Sequence, residues 1–347
     1  MMRPRRRNAL GAACIAGAAV AYSLIPLPIR FAGEGFSVLV LGTLMESACA
    51  TLLLAALAVS ARPVLGVGPL QAMRPARHVA LPPVALAGPR AGVLLTLLLV
   101  TAPNVLLYAG TAALLPLVVL SCFSDGLDVV PQSLLIARWS GSSRSISTRS
   151  ATMMCGMPIA VAAVVWSQTA PGQLEGGSWR NTTVGLVLGV LTTATYAVRP
   201  AAGIIYGDRC ASAWRSGPSA VSVKEYGAAL WWSTFAASAV SVPIVAAVGL
   251  TFALGGLGAT RSAAFGAASG LIMGCARLLH RAGNIVTADT RVNSLLYASP
   301  ALAAIWLTSA GDPIYQPVLF GCGMAVIFGL NAAIAADRDG QQSAQSQ

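Results

Sequence analysis

Apolar stretches long enough to cross a bilayer recur along the whole chain, with arginine-bearing segments between them. Ten can be drawn, at about 9–29, 36–60, 91–109, 112–137, 151–168, 182–206, 226–253, 262–283, 292–309 and 314–335. One span needs about 20 mostly apolar residues, so ten need roughly 200. The chain meets that demand, since 56% of its 347 residues are hydrophobic. Only 10% are charged, against about 25% in a soluble domain, and the mean hydropathy is +0.72. These values exclude a soluble enzyme, a disordered chain and a secreted disulfide scaffold. They also disfavour a membrane barrel, whose strands alternate polar and apolar residues over about 10 positions. The expected fold is an all-α polytopic membrane protein. A further apolar segment, 79–90, carries Pro82, Pro83, Pro89 and Arg90, which argue against an independent span.

The basic residues set the expected orientation. Arg3, Arg5, Arg6 and Arg7 precede the first span, and with them inside, the even-numbered loops are inside too. Of 22 Lys and Arg residues, eighteen then fall on the inner side, three (Arg30, Arg180 and Arg261) on the outer side, and Arg199 within a span. Such a bias is the signature of cytoplasmic loops. It predicts ten spans with both termini in the cytoplasm, and the excess of Arg over Lys, 21 to one, resembles the usage of a GC-rich bacterial genome, so a bacterial cytoplasmic membrane is expected. The loops also account for the formal charge of +11, so no nucleic-acid partner is expected. The basic start could head a cleaved signal peptide, but the apolar run continues to Ile29 and the charge count needs that helix retained. The seven cysteines, Cys14, Cys49, Cys122, Cys155, Cys210, Cys275 and Cys322, form no CxxC and read as small core hydrophobes.

The expected organisation is a basic tail (1–8), a first five-helix repeat (9–168), an outer linker (169–181), a second five-helix repeat (182–335) and a polar tail (336–347). Five spans per half put the halves in opposite orientations, as in inverted-repeat transporters. Short self-similarities agree with this. Ala21-Tyr22 matches Thr195-Tyr196-Ala197, and Val119-Leu120-Ser121-Cys122 matches Tyr297-Ala298-Ser299-Pro300.

Asn293 to Leu307, with Tyr297 and Pro300 in an apolar run, resembles the ninth helix of the EamA-type branch of the drug/metabolite transporter superfamily. Gly311-Asp312-Pro313 stands where that family commonly has a Gly-Glu pair. Pro317 to Asn331, punctuated by Gly321, Gly323 and Gly329, resembles its tenth helix, and Thr101-Ala102-Pro103-Asn104 through Ser121 resembles its third and fourth. The resemblance covers the whole chain in architecture and about a third of it in sequence. The chain departs from the family in lacking a Trp in the first helix, where Tyr22 stands nearby, and in having Arg138-Trp139 where an acidic residue follows the fourth. The resemblance implies a secondary transporter, in the exporting direction, for a small metabolite or drug-like solute.

Charges inside spans single out candidate site residues. A charge at a helix centre costs about 2.5–3.5 kcal/mol on insertion scales, so it faces a bundle interior or a cavity. Glu46 lies in the second span, Asp125 and Asp128 in the fourth, and Arg199 in the sixth. On α-helical spacing Asp125 and Asp128 share a face about 4.5 Å apart along the axis. Paired, desolvated carboxylates hold a proton, so proton coupling is expected there. The alternative for each charge is a buried ion pair that only orients helices. Arg277 and Arg281 read as inner-surface anchors, with Arg277 an alternative counter-charge.

Pro116 and Pro131 in the fourth span and Pro300 in the ninth are expected hinges, since proline breaks the hydrogen-bond ladder and transporters bind substrate at broken helices. Tyr22, Asn104 and Tyr297 are the weaker pathway candidates. With them stand Tyr108, Gln132, Tyr196, Trp231 and Asn284, any of which packing or interface anchoring would also explain.

The expected partners are the lipid bilayer, a small-molecule solute and protons, with no cofactor or metal and no oligomer required. No GxxxxGK[ST] loop is present for ATP-driven transport. A membrane-embedded enzyme acting on a lipid-linked substrate and a non-transporting assembly protein are the competing readings. The first would need a catalytic cluster, and the chain has only His78 and His280 and no HExxH or GxSxG.

Overall fold

The computed structural model describes residues 4–33, 36–65, 104, 106–140, 146–168, 178–213, 257–286 and 290–345. All regular structure among them is helical. The elements are α1 (Pro4–Leu24), α2 (Pro26–Ala32) and α3 (Val38–Leu65), then α4 over 106–114. Next come α5 (Leu117–Ser121), a π-helical turn (Cys122–Gly126), α6 (Val129–Ser140), α7 (Thr148–Ser167) and α8 (Ser178–Ala213). The chain ends with α9 (Leu257–Val286), a 3-10 segment (Thr290–Ala298), α10 (Ser299–Ser309) and α11 (Pro317–Gln345).

Among the described residues, seven helical segments are long and apolar enough to cross a membrane: Asn8–Ala32, Val38–Ser60, Leu117–Arg138, Thr148–Ser167, Arg180–Val198, Ala259–Asn284 and Pro317–Ile334. They correspond to seven of the ten expected spans. The ninth appears as the shorter apolar helix Ser294–Ser309. Most of the third (91–109) and all of the seventh (226–253) lie outside the described residues. The outward surfaces fit a lipid environment: Val59, Ile159 and Val318 are 77%, 73% and 80% exposed.

Local chemistry sets the helix ends and moves several boundaries. The third helix runs on to residue 114, and the turn falls at Leu115-Pro116 rather than near residue 110. Proline disfavours α geometry in the residue before it, and Pro116 itself is extended at ψ 136. Gly33, at φ 78, follows α2 and Gly311, at φ 97, follows α10, both in the left-handed region open to glycine. The Ser147 hydroxyl accepts from the Ser150 amide at 2.9 Å and caps α7. The sixth span was expected over 182–206, but α8 runs from Ser178 to Ala213 straight through Pro200. Its 36 residues make it about 54 Å long at 1.5 Å per residue, well beyond a hydrocarbon core of about 30 Å.

The helices associate through small residues rather than through a hydrophobic drive, which lipid does not supply. α9 presents Gly266, Gly270 and Gly274 to the backbone and side chains of α3, and Gly283 to α1. α7 lies along α11, and α6 along α8. Of the described cysteines, Cys49 and Cys122 are buried as expected. Cys155, Cys275 and Cys322 are exposed on helix surfaces instead, where a thiol is apolar enough to meet lipid.

Candidate functional site

Three carbonyls at helix breaks receive side-chain donors from distant helices. The first span breaks at Ile25, just before Pro26, and the Ser269 hydroxyl of α9 donates to the Ile25 carbonyl at 3.1 Å. In the fourth span the π-turn displaces carbonyls from α register. Thr193 of α8 donates to the Phe123 carbonyl at 2.7 Å, and Asn331 of α11 donates to the Gly126 carbonyl at 3.0 Å. All three donors come from the second half of the chain and all three breaks from the first. Non-helical backbone at membrane depth persists only where such partners or a cavity satisfy it.

A cavity opens beside these breaks. Ile25 and Pro26 line it at the break of the first span, and Ser121 and Ser124 at the π-turn. Tyr22, Met45, Asn104, Tyr108, Thr192, Tyr196, Met273 and Arg277 complete the wall. Its empty space is about 520 Å³ with the open mouth and adjoining solvent included. Spans one to four supply one wall, and the sixth and eighth supply the other. Asn104 ties the walls together, its amide nitrogen donating to the Thr192 carbonyl and to the Thr195 hydroxyl, both at 2.9 Å.

Arg277 is the charged side chain among the described lining residues. It is 8% exposed, and its guanidinium donates to Cys49 Sγ at 3.1 Å. Glu46, one turn before Cys49 on α3, is fully buried and is the carboxylate that bears electrostatically on Arg277. Tyr22 also meets His280 edge-on, with ring centroids 6.4 Å apart.

The structure gathers only part of the expected site. Tyr22 and Asn104 line the cavity, as do Tyr108 and Tyr196, which stood with them as weaker candidates in the sequence. Tyr297 instead packs against the core formed by the fourth, fifth and tenth spans. Asn284 is exposed and Gln132 half-buried, while Trp231 lies outside the described residues. Asp128 is half-buried and does not line the cavity. The side chains of Asp125 and Arg199 lie outside the described residues. The shared-face argument for Asp125 and Asp128 does need correction. They flank the end of the π-turn and a bend, where α periodicity no longer applies.

Two of the three expected hinge prolines sit elsewhere in their helices than expected. Pro116 is the N-cap of α5, Pro131 is the third residue of α6, and Pro300 is the second residue of α10. First-turn amides have no intrahelical partner, so Pro116 and Pro131 break no ladder; each starts a helix after a break, whereas Pro300 stands inside the apolar helix Ser294–Ser309, where the 3-10 segment passes into α10. Arg277, read as an inner-surface anchor, is buried in the site. The signal for it was its spacing, seven residues after Gly270 and four after Met273, on the face of α9 that packs on α3.

Both ends of the bundle carry polar links between the halves. At one end Arg30 of α2 pairs with Asp312 after α10, and Arg261 donates to the Phe31 carbonyl at 2.8 Å. At the other end, Asp337 of α11, beyond the apolar part of its helix, accepts from the hydroxyls of Ser147 and Ser150. Those bonds hold its carboxyl below the usual 3.8. A depressed carboxyl contributes stability above its unfolded value and loses it as pH falls through the folded one. Asp337→Asn should therefore lower the melting temperature slightly and constantly at neutral pH, equivalent to about 1 kcal/mol at most for so exposed a contact. The difference from the parent should shrink below pH 3.8. A difference that stayed constant down to the acid limit would remove the carboxylate from the account.

No family model matches the chain, and no curated protein sequence matches it. A solved crystal structure, described only as that of a protein, aligns with 94% of this chain and 96% of its own at a TM-score of 0.51 and 16% identity. That likeness is one of fold, and it spans essentially the full length of both chains.

Proposed function

We propose that this chain is a secondary transporter of the drug/metabolite superfamily, in the EamA-type branch. It would export a small metabolite or drug-like solute across a bacterial cytoplasmic membrane by alternating access. The carrying observation is the small cavity between the halves, lined by residues of both and set at helix breaks. Transporters bind solute at such breaks, near the midplane, at the repeat interface. Ten spans in two inverted repeats are part of the proposal, and the positive-inside count supports cytoplasmic termini.

The packing of the described helices supports the inverted repeat. α1 of the first span lies against the ninth span, and α8 of the sixth lies against the π-turn and α6 of the fourth, as the pairing of spans five apart requires. α1 also lies along α9 of the eighth span. Correspondingly, α8 meets the third helix, where Thr111 and Thr192 hydroxyls stand 3.3 Å apart. α7 and α11, the last helix of each half, pair with each other. Tyr22 and Tyr196, matched in the sequence repeat, both line the cavity.

The test is flux in proteoliposomes across a panel of labelled small metabolites. Met45→Trp and Met273→Trp each add bulk to the cavity wall without touching a buried charge. The fraction of each that folds and elutes as the parent does should lose flux by about tenfold or more. Parent-like flux in both folded variants would show that the solute does not pass through this cavity.

A further inference from the structure

The polar groups around the cavity differ in what they leave available. The Ser121 hydroxyl donates to the Leu117 carbonyl at 3.1 Å, Ser124 to the Ser121 carbonyl at 3.4 Å and Thr192 to the Leu188 carbonyl at 2.8 Å. The Asn104 amide nitrogen is engaged with Thr192 and Thr195. A guanidinium has five N–H donors. Arg277 directs one bond to Cys49 Sγ and still lines the cavity. Glu46 offsets its charge from α3 without lining the cavity itself. A solute entering therefore meets a cation fork and an aromatic, thioether-rich wall, but no carboxylate among the described lining residues.

We infer that the cavity selects small organic anions, with the acid group on Arg277 and a one-ring or short apolar body among Tyr22, Tyr196, Met45 and Met273. This names the substrate class of the proposed transporter and rests on reading the cavity as its substrate site. A guanidinium matches a carboxylate with two parallel hydrogen bonds, and charge-assisted bonds are about twice as strong as neutral ones. Water exclusion strengthens them further. A cationic solute of the same shape would face Arg277 directly and be repelled. Met45 and Met273 are unbranched and adaptable, which suits a wall that admits several apolar bodies while the charge is selected at one point.

Three single-ring probes of matched shape separate the terms: 4-hydroxyphenylacetate, the neutral alcohol tyrosol and the cationic amine tyramine. Calorimetric titration of the purified full chain in detergent should give a Kd for the acid at least about tenfold below that for either other probe, the scale of one charge-assisted contact. Arg277→Lys, which keeps the charge and loses the fork, should weaken the acid and leave tyrosol unchanged. Arg277→Gln should abolish the preference. Should that variant fail to fold, the doubly neutral Arg277→Gln/Glu46→Gln chain carries the same expectation. Glu46→Gln alone should bind the acid as tightly as the parent or tighter. Equal binding of tyramine or tyrosol, a preserved preference in a folded Arg277→Gln chain, or no binding of any probe by folded parent protein would overturn the inference. Acid binding without flux in proteoliposomes would sustain it while ending the transport reading. Flux with no preference for the acid would do the reverse.

Discussion

Gly270→Ala is expected to remove most of the folded protein. The added Cβ would stand 2.1 Å from the Met45 carbonyl oxygen, 2.8 Å from its carbon and 2.9 Å from Ala48 Cβ. A flexible side-chain end could move aside, but a backbone carbonyl inside α3 cannot move without moving the helix. α3 and α9 would have to separate along the contact that also places Met45, Glu46 and Cys49 opposite Met273 and Arg277. Overpacking a tight interior costs about 1–3 kcal/mol and occasionally more, and this contact belongs at or beyond the upper end. Lipid gives no compensating drive for the separated faces. Gly266→Ala should behave similarly, with its Cβ 2.5 Å from the Leu41 carbonyl oxygen. Gly321→Ala and Gly329→Ala are the controls. Neither has any neighbour within 4 Å, and alanine suits a helix interior better than glycine by roughly 0.5–1 kcal/mol. Size-exclusion profiles and melting temperatures of the four variants check this. Parent-like melting of Gly270→Ala would mean that α3 and α9 do not approach so closely.

Arg277→Gln is expected to have the other large effect, and Glu46 decides its size. Arg277 is 8% exposed and Glu46 0% exposed, and each sits at a depth where a lone charge is costly. Removing one member of a buried opposite-charge set typically costs about 3–5 kcal/mol, because the other is left uncompensated. Arg277→Gln and Glu46→Gln should each lower the melting temperature strongly. The double variant should melt well above the sum of the two losses, since each single change removes the same electrostatic interaction. That non-additivity is what a double-mutant cycle measures. Strictly additive losses would show that Glu46 and Arg277 are stabilised separately, and Glu46 would drop out of the account of the site.

Different parts of this molecule were legible in the sequence to different degrees. The apolar lengths gave the helical membrane class and seven of the spans now described, because hydropathy over about 20 residues is a strong local signal. Gly266, Gly270 and Gly274 of α9 stand at four-residue spacing in the sequence itself, a pattern that suits close helix packing. Two arguments that took regular α geometry for granted needed revision. The pairing of Asp125 with Asp128 assumed 3.6 residues per turn across what is a π-turn and a bend. The hinge argument assumed prolines inside helices, whereas Pro116 caps α5 and Pro131 stands in the first turn of α6. A break in register carries no hydropathy signature, because its compensation comes from Thr193 and Asn331 on other helices.

By itself the sequence determined what each segment must do energetically: which stretches belong in hydrocarbon, where glycine admits close approach, and which charges need an interior explanation. Bilayer insertion is a nearly one-dimensional problem, so composition along the chain suffices for it. Only the tertiary structure decided which interior groups share a cavity. Arg277 and Tyr22 are 255 positions apart in the chain, and Asn104 and Tyr196 are 92 apart, yet all four line one wall-to-wall space. Arg277 has the same composition signal as Arg281, four residues on. What separates them is rotation about the axis of α9 against α3, and that rotation is set by Gly266 and Gly270 meeting the backbone of a helix more than 200 residues earlier.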